Sequence, residues 1–343
     1  MRKIIAINEK AYSPKQFSFL VAEQDDWGTI NPDSSGSPDN PWLAVDVDSV
    51  GSPSLNLNQV LEPRNGSRVL QATDFFQDKL TKVIEFSVSG TATTEVLDLL
   101  LGNITEGDTV PYGIAANSAA QNLTSATENQ TAGQILSIVY SSPTTNKDMA
   151  FKDCFCTALS FNGDAGTEGC RVKFSATFKT GSLPADLTSN TISVDTAVTA
   201  NNYYMSSWDA DDRIVAGHSN VLVNSFTLNI ENDVVFSGAT ATGYESAARV
   251  GEVSATADFN IKYDGNTDAM FENFHDQVTG ASEGATLMAT DATPSDGEFE
   301  FKFANSAITS LSLSEGDLMS LDVSVKALGA GVGSSDLFFE VAC

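Results

Sequence analysis

Histidine is nearly missing from this chain: 343 residues hold two, His218 and His275. Cysteine is scarce as well, with Cys154, Cys156, Cys170 and Cys343 and no Cys-x-x-Cys pair. A His/Cys zinc site has no local spacing to start from, and neither histidine can be argued into a Ser–His–Asp arrangement. Both histidines are read as surface or ordinarily packed side chains. Cys154 and Cys156 on one strand do not easily bridge to each other, so the expectation is reduced thiols in a protein made in a cytoplasm. No stretch reaches the roughly 18 apolar residues that span a bilayer. After Met1-Arg2-Lys3 the apolar run stops at Ile7, too short for a secretory leader. Asn-x-Ser/Thr tripeptides such as Asn103-Ile104-Thr105 carry no weight without secretion. Basic residues are few: Lys plus Arg is 18 against 45 Asp plus Glu, a formal charge of −27. Such a chain is a poor candidate for gripping nucleic acid or an anionic membrane. Residues 1–180 hold 13 basic and 21 acidic groups (−8), and residues 181–343 hold 5 and 24 (−19).

The motifs of common chemistry also fail on inspection. Asp264-Gly265-Asn266-Thr267-Asp268 imitates the opening of a calcium loop. Ala269 then stands where glycine is required and His275 where the bidentate glutamate should be. A tight Asp-Gly turn leading into a helix cap is the reading. Asp209, Asp211 and Asp212 read as a solvated acidic loop. Gly329-Ala330-Gly331-Val332-Gly333 follows a strand, but its sixth position is Ser334 and no βαβ unit surrounds it, so it reads as a flexible tail. No Walker motif occurs, and among 45 acids no carboxylate pair stands out. An enzyme is therefore not expected, and no cofactor or metal is implied.

What the chain does have is period-two alternation. At 41% hydrophobic residues it can bury cores, and its length suggests about two domains. Ile84 to Ser89, Val172 to Phe178, Phe226 to Glu231, Phe299 to Phe303 and Leu321 to Lys326 alternate apolar with polar side chains. That is the mark of antiparallel strands with one buried face. Helical spacing occurs twice, at Thr94–Leu101 and Thr267–Val278, each opening with Thr and an acidic residue.

A shift of 173 residues lays the first half on the second. Leu55-Asn56-Leu57-Asn58 falls on Leu228-Asn229-Ile230-Glu231, Glu85-Phe86-Ser87-Val88 on Asp258-Phe259-Asn260-Ile261, and Thr94-Glu95 on Thr267-Asp268. Residues 55–101 match 228–274 without a gap. Beyond that, Leu159-Ser160-Phe161 and Val172 to Phe178 are set against Leu311-Ser312-Leu313 and Leu321 to Leu328. A repeated order of elements with a helix in the same slot argues for an internal duplication. The expected organisation is an N-terminal arm at 1–54, a first domain at 55–180, a linker at 181–220, and a second domain with a C-terminal tail at 221–343. Matched long loops, 59–82 and 232–252, separate the first two strands of each copy and suit an interaction. Trp27, Trp42 and Trp208 fall in arm or linker and read as anchors for those segments.

The repeated unit resembles the tail tube domain of long-tailed bacteriophages. The likeness is best over Val223 to Leu328, through SFTLNIEN, GATATGYESAARVGEV, SATADFNIKYDGNTDAMFENF and EFEFKFANSAITSLSLSEGDLMSLDVSVKAL. The resemblance implies a mainly β protein of two tandem β-sandwich domains, each flanked by one α-helix. Six such domains form a ring whose inner strands close into a barrel, so a two-domain subunit implies a pseudo-hexameric trimer. Rings stack into the tube through which genomic DNA leaves without specific binding. Tape measure, tail terminator and distal tail or baseplate proteins are the implied partners. The implied place is the virion tail, assembled in the host bacterial cytoplasm, with no membrane involved.

On that reading the polar faces of the inner strands line the lumen: Glu85, Ser87 and Ser89, then Asp258, Asn260 and Lys262. A one-residue slip would invert the assignment. The long loops are expected to reach an adjacent ring through Arg64, Arg68, Phe75 and Phe76 in one copy and Phe236, Tyr244 and Arg249 in the other. The acidic balance suits a conduit past which DNA must slide, since basic contacts retain DNA. A β-sandwich adhesin, a surface-layer protein or a capsid decoration is the structural alternative. A carbohydrate-active β-protein is the enzymatic one.

Overall fold

The computed structural model describes residues 17–24, 27–30, 42–51, 53–55, 59–61, 69, 75–77, 83–105, 135–141, 148–166, 171–186, 203–204, 214–216, 218–219, 221–240, 243–249, 253–265, 267–271, 274, 285–291, 298–303, 306–328 and 340–342. Strands dominate these residues, as the alternation requires. Ile84–Thr91, Lys173–Thr180, Val223–Glu231, Ser254–Lys262 and Ser320–Ala327 each bury every second side chain over most of their length.

The longest strand, Met149–Asp164, organises the rest. One of its edges carries Lys173–Thr180 along Cys154 to Asn162. Its other edge is shared. Ile135–Ser141 takes the first part, with Tyr140 opposite Met149 and Leu136 opposite Cys154. Val223–Glu231 takes the last part, with Glu231 opposite Ala158 and Ser225 opposite Asp164. Between the two sets the strand is irregular. Asp153 has φ 52°, inside the left-handed region that L residues other than Asn and Asp rarely enter. Thr157 is the extra residue of a bulge against Thr177 and Phe178.

The result is a run of antiparallel strands in two groups of four. The first is Val47–Val50 with Ser54–Leu55, then Ile84–Thr91, Lys173–Thr180 and Met149–Asp164. The second is Val223–Glu231, Ser254–Lys262, Ser320–Ala327 and Ser306–Ser314. Their registers coincide. Leu55 lies opposite Ile84 and Leu228 opposite Ala257, each member 173 residues further on; Ser54 opposite Glu85 and Thr227 opposite Asp258 repeat the relation. Phe86 lies opposite Phe178, and Phe259 opposite Val323. The pairings set Phe178 on Val323 and Leu159, opposite Ala176, on Leu313, opposite Leu321. The hairpin alignment expected from sequence is therefore slipped, because loops of different length precede it.

The segment expected to be an N-terminal arm contributes to the interior. Ser18–Gln24 pairs with Ile135–Ser141 on one side and Leu43–Val45 on the other. It shows no alternation because both of its faces are covered. Phe19 and Val21 join the main core, while Leu20 and Ala22 join Trp42, Val139 and Ala150 on the opposite side. Phe19 meets the Tyr140 ring at 5.4 Å and the Phe178 ring at 6.3 Å, and Phe86 stacks on Phe178 at 5.6 Å. The linker contributes too: Ile214–Val215 and Tyr203–Tyr204 pair with Ala285–Asp291 in a smaller sheet that includes Glu298–Phe303 and Glu340–Ala342. Short strands of two residues carry too little pattern to be read beforehand.

The first helix runs Thr94–Thr105, four residues beyond the expected end. Of the second expected helix, Met270, Phe271 and Phe274 are helical among the described residues. The Asp264-Gly265 turn precedes it, closed by the Thr267 and Asp268 amides donating to the Asp264 carbonyl at 3.0 and 3.1 Å.

Candidate assembly surfaces

Three features could meet a partner: an open sheet face, an outer strand and a hairpin. The open face comes from the pleat. Ile84, Phe86, Val88, Phe259 and Ile261 are buried; Glu85, Ser87, Asp258 and Lys262 are exposed, with Ser89 and Asn260 half-buried on the same side. Cross-strand registers continue this face as polar rows. Ser175, Ser160, Asn229, Thr256 and Lys326 form one row; Ser225, Asn260 and Asp322 belong to another. Side chains link across the strands: Ser49 to Ser89 at 2.7 Å, Asn260 Nδ2 to Asp322 Oδ1 at 2.6 Å, and Ser324 Oγ to Asp258 Oδ1 at 2.5 Å. Both charge signs are interspersed. Lys173 pairs with Asp48 and Lys179 with Asp233, each at 2.7 Å. The Lys179 hydrogen bond is the main reason the Asp233 carboxyl lies below its usual range. The described face is thus hydroxyl- and amide-rich, and the chain's acidic excess is not concentrated on it.

The outer strand is Ser306–Ser314, SAITSLSLS, which pairs only with Ser320–Ala327 among the described strands and is mostly exposed from Thr309 to Ser314. It contains no charged residue, proline or glycine, the devices that usually blunt an exposed edge.

The hairpin is Val234–Ala239 with Tyr244–Arg249. It lies against the first group of strands of its own chain. The Phe236 ring sits 5.9 Å from Phe155 and 5.6 Å from Tyr244, and Trp27 Nε1 donates to the Tyr244 carbonyl at 3.0 Å. A Cβ placed on Gly181 would come within 2.4 Å of the Tyr244 ring, so the hairpin seats on a glycine backbone. Arg249, expected on an exposed loop, is buried. Its Nη1 donates to the carbonyls of Cys156 at 3.0 Å and Asn232 at 2.6 Å, its Nη2 to Asn103 O at 2.5 Å, and its guanidinium lies 5.6 Å from the Phe155 ring centroid. Burying a guanidinium demands such partners, so this head is committed to its own chain. Phe75 and Phe76 lie in the strand Phe75–Gln77, opposite Leu61 and Val60 of Gln59–Leu61. Arg64 and Arg68 lie outside the described residues, as do Trp208, Asp209, Asp211, Asp212, His275, Cys170, Cys343 and the glycine-rich stretch at 329–333.

Two buried polar knots had no readable signal in the sequence, because each draws on residues far apart in the chain. One is the Arg249 set. The other surrounds Asp153, whose Oδ1 accepts from Gln24 Nε2 and the Gly28 amide and whose Oδ2 accepts from Ser182 Oγ, all at 2.7 Å. Trp27 and Trp42 do anchor the segment before residue 54, the latter fully buried. The thiols of Cys154 and Cys156 are free and buried. Burial pushes Cys156 up to about 12 despite the lowering influence of Arg249, and burial with neighbouring Asp153 raises Cys154 well above its ordinary value. Protonated, buried thiols are inert toward nucleophilic chemistry. No protein-family model matches the chain, and no curated protein matches it.

Proposed function

We propose that this chain is the subunit of a bacteriophage tail tube: two tail-tube-like β-sandwich domains, each with a flanking helix, that close head to tail into rings and stack into a conduit for DNA. One observation carries the reading. Two groups of four strands in the same spatial order, the first two strands of each related by a 173-residue shift, meet edge to edge at Asp164–Ala158 and Ser225–Glu231. That junction consumes the last strand of one group and the first of the next. Among the described strands, the two outer ones of this run, Ser306–Ser314 over its Thr309–Ser314 part and the strands within 47–55, have a strand partner on one side. A repeat joined in this way can continue by adding another copy through the same kind of edge. Closure by rotation removes every free edge, which an open sheet cannot do.

The family resemblance supplies six domains per ring and hence three chains. It also supplies the tape measure, tail terminator and distal tail or baseplate proteins as partners and the virion tail as the place. The polar rows of the open face support a lumen lining through Glu85, Ser87, Ser89, Asp258, Asn260 and Lys262. Serine, threonine and asparagine with lysines held by carboxylates offer few unpaired cations to retain phosphates. Negative-stain microscopy of the purified protein tests the reading. Rings or tubes with a bore wide enough for duplex DNA are expected; a monomer persisting at high concentration overturns it.

A further inference from the structure

The two helices are covered unequally. In the first, Leu99 to Ile104 are six successive buried residues. A helix packed on one face alone cannot bury six in a row, so it must be covered on more than one side. The strand Met149–Asp164 lies on one side, with the Cys156 amide donating to Asn103 Oδ1 at 2.6 Å. The base of the hairpin in the second group of strands supplies another. Asn232 Nδ2 donates to the Ile104 carbonyl at 2.8 Å, and Arg249 Nη2 donates to Asn103 O. The helix has no basic residue in its own last turn, so Arg249 brings the cation that its C-terminal carbonyls favour.

At the equivalent place in the second copy, Met270 is fully buried, but Phe271 is 42% exposed and Phe274 36%. Phe274 stands where Leu101 stands in the first helix, and Leu101 is fully buried. The Gln59–Leu61 and Phe75–Gln77 hairpin occupies in the first copy the slot of the Val234–Arg249 hairpin in the second, with Gln59 at the place of Asn232.

We propose that the Phe271/Phe274 face is the seat of the Gln59–Gln77 hairpin of a second copy of this chain. The occupant follows from the internal contact: the hairpin of one group of strands covers the helix of the group before it. Among the described residues, no such group of strands precedes the one that carries the 59–77 hairpin, and none follows the one that carries the second helix. Under the 173-residue shift Phe76 falls at the place of Arg249, so an apolar residue type stands in this hairpin where its counterpart carries a cation. The inference rests on the head-to-tail reading above, and it places this hairpin beside a neighbour in the same ring.

The test is a cysteine pair, Gln59→Cys with Phe274→Cys, in protein carrying Cys170→Ser and Cys343→Ser, treated with a flexible bismaleimide and run under denaturing conditions. Rings by microscopy together with covalent dimers and trimers are the expected result. Rings without that ladder overturn this inference and leave the ring reading standing, whereas neither rings nor ladder overturns both. An internally cross-linked monomer also overturns it. A second variant guards against a folding failure: Phe271→Glu with Phe274→Glu should keep the monomer's melting temperature and raise the concentration needed for assembly by about tenfold or more. Unchanged assembly in that variant counts against the proposal.

Discussion

Arg249 Nη2 donates to the carbonyl oxygen of Asn103 at 2.5 Å, across 146 residues of sequence. This bond joins the last turn of the first helix to the hairpin of the second group of strands. The Arg249 fork also reaches Cys156 and Asn232, so one side chain satisfies carbonyls from three segments. Replacing Arg249 with Ala leaves those acceptors in a dry site. A loss of about 2–4 kcal/mol is expected, from charge-assisted hydrogen bonds and stranded carbonyls. Lysine has one nitrogen and no fork, so Arg249→Lys should recover less than half. Urea unfolding of both variants measures this, and a loss under about 0.5 kcal/mol for the alanine variant contradicts it.

Gly181 tests the hairpin from the other side. A Cβ there meets the rings of Tyr244 at 2.4 Å and Phe236 at 2.9 Å. Rings wedged between Phe155 and the Gly181 backbone have little room to move aside, so the hairpin must lift. Gly181→Ala should cost about 1–3 kcal/mol and expose the hairpin. Limited proteolysis should cut within 234–249 faster in the variant than in the parent chain. Equal cutting rates would show that the hairpin is not seated on this glycine.

Sequence pattern reached as far as one-sided burial and no further. Phe86, Val88, Phe259 and Ile261 alternate with polar neighbours, and the structure buries them. Ser18–Gln24 escaped because Phe19 to Ala22 are buried on both faces, which erases the period. The 173-residue offset is legible because the stretch it spans has no gap, and the pairings of the first two strands of each group follow it. The later hairpin slipped because unequal loops break the count. Arg249 is visible in the sequence only as an arginine in a long loop, which is why it is expected to reach an adjacent ring. Its carbonyl partners come from residues 103, 156 and 232, which only the fold brings together.

The buried thiols make stability depend on alkaline pH. In the unfolded chain a thiol titrates near 8.5. In the folded chain Cys156 holds its proton to about 12, and Cys154 is also raised well above its ordinary value. Below the unfolded value both states are protonated and the contribution is intact. Above it the unfolded chain loses the proton first, so stability falls as pH rises toward the folded value. Each thiol contributes a slope on the order of 1.4 kcal/mol per pH unit within that window. The Cys154→Ala/Cys156→Ala protein should therefore lose stability less steeply between pH 9.5 and 11, a range set by those raised values. Parallel slopes for parent and variant would rule the effect out.

The outer strand makes the sharpest claim about assembly. Along Ser306–Ser314, successive backbone amides point alternately into the ladder with Ser320–Ala327 and away from it. Ser312 and Leu313, opposite Asp322 and Leu321, lie in the regular part beyond the Thr309 bulge. Proline at one of the two deletes an internal ladder bond and should destabilise the monomer, by about 3 kcal/mol. Proline at the other deletes only an outward donor, which the monomer does not use, and edge strands tolerate that. That second variant should fold with a near-normal melting temperature yet fail to form rings, because its missing amide and its ring face the incoming strand. Sedimentation and thermal melting of Ser312→Pro and Leu313→Pro, taken together, separate the two effects. If the stable variant of the pair still assembles, closure does not run through this strand, and the head-to-tail junction must be sought elsewhere.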